Sequence, residues 1–306
     1  MNIIEFGDCR ETMRKWAAEG IKAQTCVTSP PYYGLRDYGH DGQIGLEKTP
    51  QEYISAMVDV FQCVWNILED DGTLWVNLGD SYSAGGRGGG QEGGIQAANK
   101  GSIIGEVFGA WKVEGFRPKN LIGIPWRFAI AMQDFGWNLR QDIIWNKPNP
   151  MPESVTDRCT KSHEYIFLFS KKQKYYFDNE AIKEPVKEDW GTRDRTNGKY
   201  HNEGTGLQPH SGLEKSYEMA NKRSVWTVNT STYKGAHFAT FPEKLIEPCI
   251  LAVAPVGGIV LDPFMGSGTT AQVAQDLGRQ YIGCELNPEY GKLQKKRTAQ
   301  TSLDLV

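Results

Sequence analysis

Short apolar runs alternate with longer stretches in which apolar residues recur at helical spacing. Runs at 2–5, 24–28, 73–78, 139–145, 165–169, 259–261 and 281–284 read as strands, and several lie between segments that read as helices. The predicted helices are 9–18, 49–68, 124–134, 242–254 and 268–277. In the second of these, Tyr53, Met57, Val60, Phe61, Val64 and Leu68 keep a 3.6-residue rhythm, and Asp71-Gly72 supplies a stop. Seven such strands predict an α/β fold with a Rossmann-like, mostly parallel sheet. Helices cover both faces, and one edge strand is antiparallel.

Two regions lack this rhythm. Residues 79–120 contain the run Gly85-Gly86-Arg87-Gly88-Gly89-Gly90 and are expected to form a mobile insertion. Residues 171–235 are polar and too long for an ordinary loop, so a small inserted module is expected there. The sheet domain then comprises 1–170, which carries the insertion, and 236–306.

Composition narrows the class further. With 34 basic and 37 acidic residues the formal charge is −3, which neither announces nor excludes nucleic acid, because a basic cleft can sit on a neutral protein. No uncharged apolar stretch is long enough to span a bilayer. No secretory signal is read at the N-terminus, so a cytoplasmic protein is expected. The six cysteines are scattered without CxxC spacing, which predicts buried thiols and no structural zinc.

The chemistry concentrates at two places. After the run ending at Leu261 comes Asp262-Pro263-Phe264-Met265-Gly266-Ser267-Gly268-Thr269-Thr270, followed by a helix, a strand and Glu285. Strand, glycine turn, helix, strand and acid form the layout of a nucleotide-cofactor site. The GxGxxG fingerprint of a dinucleotide site is only partly matched. An acid at the first strand end also opposes a diphosphate at low dielectric. It suits an ammonium instead, while Glu285, 23 residues after Asp262, suits two ribose hydroxyls. S-adenosylmethionine has both groups and no phosphate. A tight turn with a capping carboxylate is the plainer reading of either acid alone.

Near the other end, Val27-Thr28-Ser29-Pro30-Pro31-Tyr32-Tyr33 leaves a strand through a rigid double proline. Neither proline has an N–H, so this turn is rich in acceptors. The Ser29 hydroxyl and the Pro30 carbonyl suit an exocyclic amine, and a tyrosine ring offers a surface for a planar base. Such a loop contributes by orientation and by carrying growing positive charge. No cysteine stands in a Pro-Cys active-site dipeptide to provide the thiolate that attack from a pyrimidine carbon would need, since Pro248-Cys249 falls within the predicted helix 242–254.

Together these motifs make the chain resemble the amino-group DNA methyltransferases, which modify cytosine N4 or adenine N6. Ser29-Pro30-Pro31-Tyr32 resembles the family's catalytic motif, and Asp262 to Gly268 its cofactor motif. Ala239 to Leu245 resembles the segment that precedes the cofactor strand. The catalytic motif comes first and the cofactor motif last, as in the permuted beta class. The resemblance implies catalytic roles for Ser29, Pro30, Pro31 and Tyr32. It implies a pocket for S-adenosylmethionine drawn from Asp8, Thr28, Phe241, Asp262, Pro263, Phe264, Gly266, Ser267, Gly268, Thr269, Glu285 and Asn287. For Asp8, a helix N-cap is an equal reading.

The implied partner is double-stranded DNA with the target base flipped out. Phosphate or DNA contacts are expected from Tyr33, Lys147, Lys161, Arg193, Arg195, Lys222 and Arg223, and target recognition from 171–235; an ordinary solvated charge is the plainer reading of each cation alone, and a solvated insertion that of the 171–235 charges. His163 and Glu164 resemble a family segment and receive no catalytic role. A serine opening the Pro-Pro-Tyr motif favours cytosine N4 over adenine N6. The resemblance also allows a homodimer, a separate cognate restriction endonuclease, and a prokaryotic or phage source. Competing readings are a non-catalytic nucleotide-sensing DNA-binding protein, a nicotinamide oxidoreductase, and a methyltransferase for another planar amine.

Overall fold

The computed structural model describes residues 1–35, 37, 39–83, 113–186, 218–230 and 241–299. Along the chain run β1 (Asn2–Phe6), α1 (Cys9–Ala18), β2 (Ala23–Thr28), α2 (Pro50–Ile67), β3 (Leu68–Leu78), α3 (Ile124–Phe135), β4 (Asn138–Asn146) and β5 (His163–Ser170). There follow β6 (Glu184–Pro185), β7 (Met219–Ala220), β8 (Val225–Thr227), α4 (Glu243–Val253), β9 (Ile259–Asp262), α5 (Thr269–Asp276), β10 (Gln280–Glu285) and α6 (Gly291–Ala299).

Local chemistry sets several of these boundaries. At α2, the Thr49 hydroxyl accepts the Glu52 amide while the Glu52 carboxylate accepts the Thr49 amide. This capping box, with Pro50 opening the first turn, fixes where the helix begins. Asp80 does the same for α3 from a distance: its Oδ1 accepts the amides of Gly123 and Ile124. That carboxylate therefore anchors the descending side of the 79–120 insertion. Backbone hydrogen bonds between Ser83 and Asn120 and between Ile122 and Ser81 pin both ends of the insertion to each other. The glycine run expected to be mobile lies outside the described residues.

The main sheet has eight strands in the order β1-β10-β9-β2-β3-β5-β4-β8. Seven fall where the apolar runs predict them. The eighth, β8, is a three-residue edge strand parallel to β4 that carries the buried Trp226. Its brevity and polar surroundings give it no pattern. The antiparallel strand is not at an edge as expected: β5 lies inside the sheet, antiparallel to both β3 and β4. The expected stop at Asp71-Gly72 is instead an irregularity within β3, between the pairs Ala23↔Leu68 and Thr25↔Thr73.

Helices cover both faces. Met13, Trp16, Phe61, Val64 and Phe128 of α1, α2 and α3 build one core, and Leu245, Ile250, Val273 and Ala274 of α4 and α5 build the other. The described flanks of 171–235 pack on this second side. The Asp178 amide donates to the Ala252 carbonyl, β6 and β7 form a small ladder, and β8 joins the main sheet.

Chain order reverses between β9 and β2. From β9 the chain goes outward to β10, and β1 lies beyond it; from β2 it goes the other way to β3. A crevice opens at the carboxyl ends of strands at such a switch point. Both motif loops leave the sheet there.

Candidate active site

The crevice is an open cleft. Its walls come from four turns: Gly7 to Arg10 after β1, Ser29 and Pro31 after β2, Pro263 to Ser267 after β9, and Glu285 to Asn287 after β10. His40, Gly42, Gln43 and Ile44 close one side, and Tyr290 another. The sequence reading missed this 40–44 wall, which has neither motif nor periodicity.

Asp262 does not face the cleft. Its carboxylate is buried and accepts the Thr28 hydroxyl at 2.6 Å, the Thr270 hydroxyl at 2.6 Å and the Phe264 amide at 3.0 Å. Burial pushes it up to about 6 despite these donors. The expected ammonium partner is therefore a brace that shapes the turn. Thr28 is corrected in the same way: it is buried and bonded to Asp262, not to the cleft.

Glu285 does line the cleft. Its two oxygens accept the Gly266 amide at 2.7 Å and the Asn287 amide at 2.8 Å, and burial pushes the group up to about 7. Two backbone donors fix the carboxylate and leave acceptor capacity on both oxygens. Asn287 uses its own Oδ1 to accept the Glu289 amide. Beside them Ser267 lines the cleft, and its buried Oγ has no hydrogen-bond partner among the described residues. Buried hydroxyls without a partner are rare, so this oxygen could hold a ligand group.

The glycine turn is braced from a helix that the sequence reading missed. From α6, Gln294 Nε2 donates to the Gly266 carbonyl at 2.8 Å and Arg297 Nη1 to Thr269 Oγ1 at 2.7 Å. The α6 sequence, GKLQKKRTA, has no apolar rhythm, so only its contacts reveal it. Gly268 sits at φ +90°, and a Cβ there would lie 3.3 Å from Gln294. Gly268 and Thr269 thus support the turn and are not on the cleft wall. Phe241 packs with the α4 side of the core and does not line the cleft either.

Asp8 caps α1 through the Arg10 amide at 2.8 Å, as its N-cap reading expects, and it also lines the cleft. Hydrogen bonds from the Arg10 guanidinium keep its carboxyl below the usual range. Cys9, also on the wall, is held as a thiol: burial pushes it up to about 12.

In the serine–proline loop, Ser29 and Pro31 line the cleft and Pro30 is buried. The Pro31 carbonyl accepts the Tyr53 hydroxyl at 2.8 Å, which ties the loop to α2. Tyr32 is half-buried and does not line the cleft. Its hydroxyl lies 2.7 Å from Glu164 Oε2 and 3.1 Å from Asn77 Oδ1, and Ser29 Oγ lies 3.4 Å from the same Asn77 oxygen. Burial, with the Glu164 charge, pushes the Tyr32 phenol well up.

The expected DNA contacts fare differently. Tyr33 is fully buried, donates to the Lys48 carbonyl and stacks obliquely on Tyr53, so it belongs to the core. Lys147 is paired with Glu164 and is not a free cation. Lys161 donates to the Asp80 carbonyl, and burial lowers its pKa. Arg223 pairs with Glu184 and Lys222 lies over Trp226, both beside a separate depression near the amino end of β8. That is the sheet edge opposite the cleft, so neither is brought to it. Arg193 and Arg195 lie outside the described residues. Among the described residues, no helix is long and apolar enough to cross a membrane.

The model of the DNA methylase family, N6_N4_Mtase, matches residues 23–296. The type II methyltransferase M.SmaI of Serratia marcescens is 47% identical over 297 residues, covering 96% of this chain and 89% of that protein. Among solved structures, the cytosine-N4-specific PvuII DNA methyltransferase aligns with a TM-score of 0.62 at 19% identity, over 97% of this chain and 86% of that one. The M1.HpyAVI–SAM complex aligns with a TM-score of 0.56 at 17% identity, over 97% and 99%.

Proposed function

The chain belongs to the N6/N4 DNA methylase family, and from that premise we propose that it methylates the N4 amine of cytosine in double-stranded DNA, using S-adenosylmethionine. One observation carries the reading: the Ser29 loop and the Glu285–Ser267 pair, from opposite ends of the sequence, line one cleft.

The residues present fit the cofactor. Glu285 offers acceptors for the ribose hydroxyls, and Ser267 Oγ offers a buried group with no partner among the described residues. Pro263, Phe264, Gly266, Asp8 and Asn287 complete the wall around them. S-adenosylmethionine supplies an electrophilic methyl carried on a sulfonium.

The protein's part is orientation and charge. Ser29 donates its proton toward Asn77, so the oxygen's lone pairs remain for the target amine. With the Pro30 carbonyl they would accept the two amine hydrogens and stabilise positive charge as it grows on nitrogen. The target base is flipped toward the Tyr32 ring, and the leftover proton goes to solvent. The thiol state of Cys9 agrees with a route that needs no covalent protein–base bond.

The choice of cytosine N4 is supported by Ser29 at the head of the motif and by the likeness to the PvuII enzyme. Target recognition is assigned to 171–235. A homodimer, a separately acting restriction endonuclease and a cytoplasmic location rest on kinship alone. The test is direct: incubate mixed-sequence DNA with labelled cofactor, digest to nucleosides and weigh the product. N4-methylcytosine is expected; N6-methyladenine would move the target to adenine, and no labelled nucleoside would overturn the reading.

A further inference from the structure

Lys147 and Glu164 form an ion pair whose side chains are only 17% and 14% exposed. Removing two charges from water is costly, and their mutual attraction often only breaks even, so such a pair adds little to stability by itself. Its position suggests what it does. Lys147 follows the last residue of β4, and Glu164 is the second residue of β5, at the sheet edge that carries the cleft. The Lys147 amide donates to the Ser162 carbonyl at 2.8 Å, and its ammonium lies 4.3 Å from the Trp145 ring centre. The cation is thus held by the strand ends as well as by the carboxylate.

Glu164 uses one oxygen for Lys147. The other accepts the Tyr32 hydroxyl at 2.7 Å and Asn77 Nδ2 at 3.2 Å. A phenol has a single proton, and a carboxylate at 2.7 Å is a shorter and stronger acceptor than the amide oxygen of Asn77 at 3.1 Å. The tip of the Tyr32 ring is therefore fixed by Glu164. Its edge is fixed by Gly79: a Cβ there would stand 2.7 Å from Tyr32 Cε2. The ring is held at two points, and neither is on the cleft wall.

We propose that Glu164, locked by Lys147, is a positioning residue for methyl transfer, which holds the Tyr32 ring at the angle from which it receives the target base. The proposal rests on the function assigned above. It also changes Lys147 from a phosphate contact to the counter-ion of this device.

The experiment compares Tyr32→Phe, Glu164→Ala, Glu164→Gln and the Tyr32→Phe/Glu164→Ala double variant of the full chain. Cofactor affinity by calorimetry and kcat and KM on methylatable DNA are read for each. Tyr32→Phe and Glu164→Ala are each expected to lower kcat by about 10–100-fold with cofactor affinity unchanged. The double variant should fall no further than the worse single. Glu164→Gln, which keeps an acceptor for the phenol, should recover most of the loss. Wild-type kcat in Tyr32→Phe, which keeps the ring and fold, would overturn the proposal, as would losses that multiply in the double variant.

If the wild type methylates no DNA, the function reading fails by itself. Positioning is then read from Tyr32 ring flipping by NMR with labelled tyrosine. Slow flipping that accelerates in Glu164→Ala supports it, and unchanged flipping overturns it.

Discussion

Thr28 donates its hydroxyl to Asp262 at 2.6 Å across 234 residues of sequence. The bond joins the strand that leads into the serine–proline loop to the strand that leads into the glycine turn. It is made where water is excluded, so it fixes the spacing of the two loops before any ligand arrives.

Asp262→Ala should therefore act on stability first. It leaves the Thr28 and Thr270 hydroxyls and the Phe264 amide without their acceptor, at roughly 1–3 kcal/mol for each buried group that finds no other. A loss of about 3–5 kcal/mol is expected from urea unfolding. Asp262→Asn, which keeps a carbonyl acceptor, should lose less. A stable Asp262→Ala protein with weakened cofactor binding would restore the ammonium role.

Glu285 should make cofactor affinity depend on pH. Its folded value of about 7 lies above the ordinary 4.5, so the ligand-free protein holds a proton there that the unfolded chain releases. Its contribution to stability is therefore present at low pH and is lost as pH rises from about 4.5 to about 7. Asp262, raised to about 6, adds to that slope. Ribose hydroxyls bond best to the ionised carboxylate, so affinity should rise with pH to about 7 and then flatten. Calorimetry across this range should show the slope in wild type and its absence in Glu285→Gln.

Ser267→Ala should separate folding from binding. The hydroxyl has no hydrogen-bond partner among the described residues, so removing it should leave thermal stability unchanged or slightly raised. Cofactor affinity should fall by about 1 kcal/mol, several-fold. A loss of stability without a loss of affinity would contradict the assignment.

Gly79→Ala should reach the reaction without touching the cofactor. Its new methyl group would press on the Tyr32 ring and come within 3.4 Å of Glu164 Oε1. Turnover should drop by about tenfold or more, with cofactor affinity retained. Unchanged turnover would show that the ring has room to shift.

What the sequence made legible follows from burial. The rhythm of Tyr53, Met57, Val60 and Val64 is visible because one side of α2 faces the core, and the apolar runs of β2 and β3 because both their faces are covered. The glycine turn and the double proline are legible because few backbones accept them. The direction of the Asp262 side chain was not, since a strand-end carboxylate can turn either toward the ligand or back into the sheet. Nor was the Lys147–Glu164 pair, which forms only because β4 and β5 run antiparallel and bring their ends together. Polar α6 gave no signal, since it braces the turn through Gln294 and Arg297 rather than through an apolar stripe.

The strand order has a consequence for biosynthesis. Among the described strands, β1 pairs only with β10, and β2 has β9 on its other side from β3. On the ribosome both early strands wait for residues made more than two hundred positions later, so the sheet closes late and its open edges are exposed meanwhile. A nascent chain halted before Ile259 carries the serine–proline loop and the Gly7 to Arg10 turn, but neither the glycine turn nor Glu285. Such a fragment lacks Ser267 and Glu285, so cofactor binding is expected only once translation has passed the last strand.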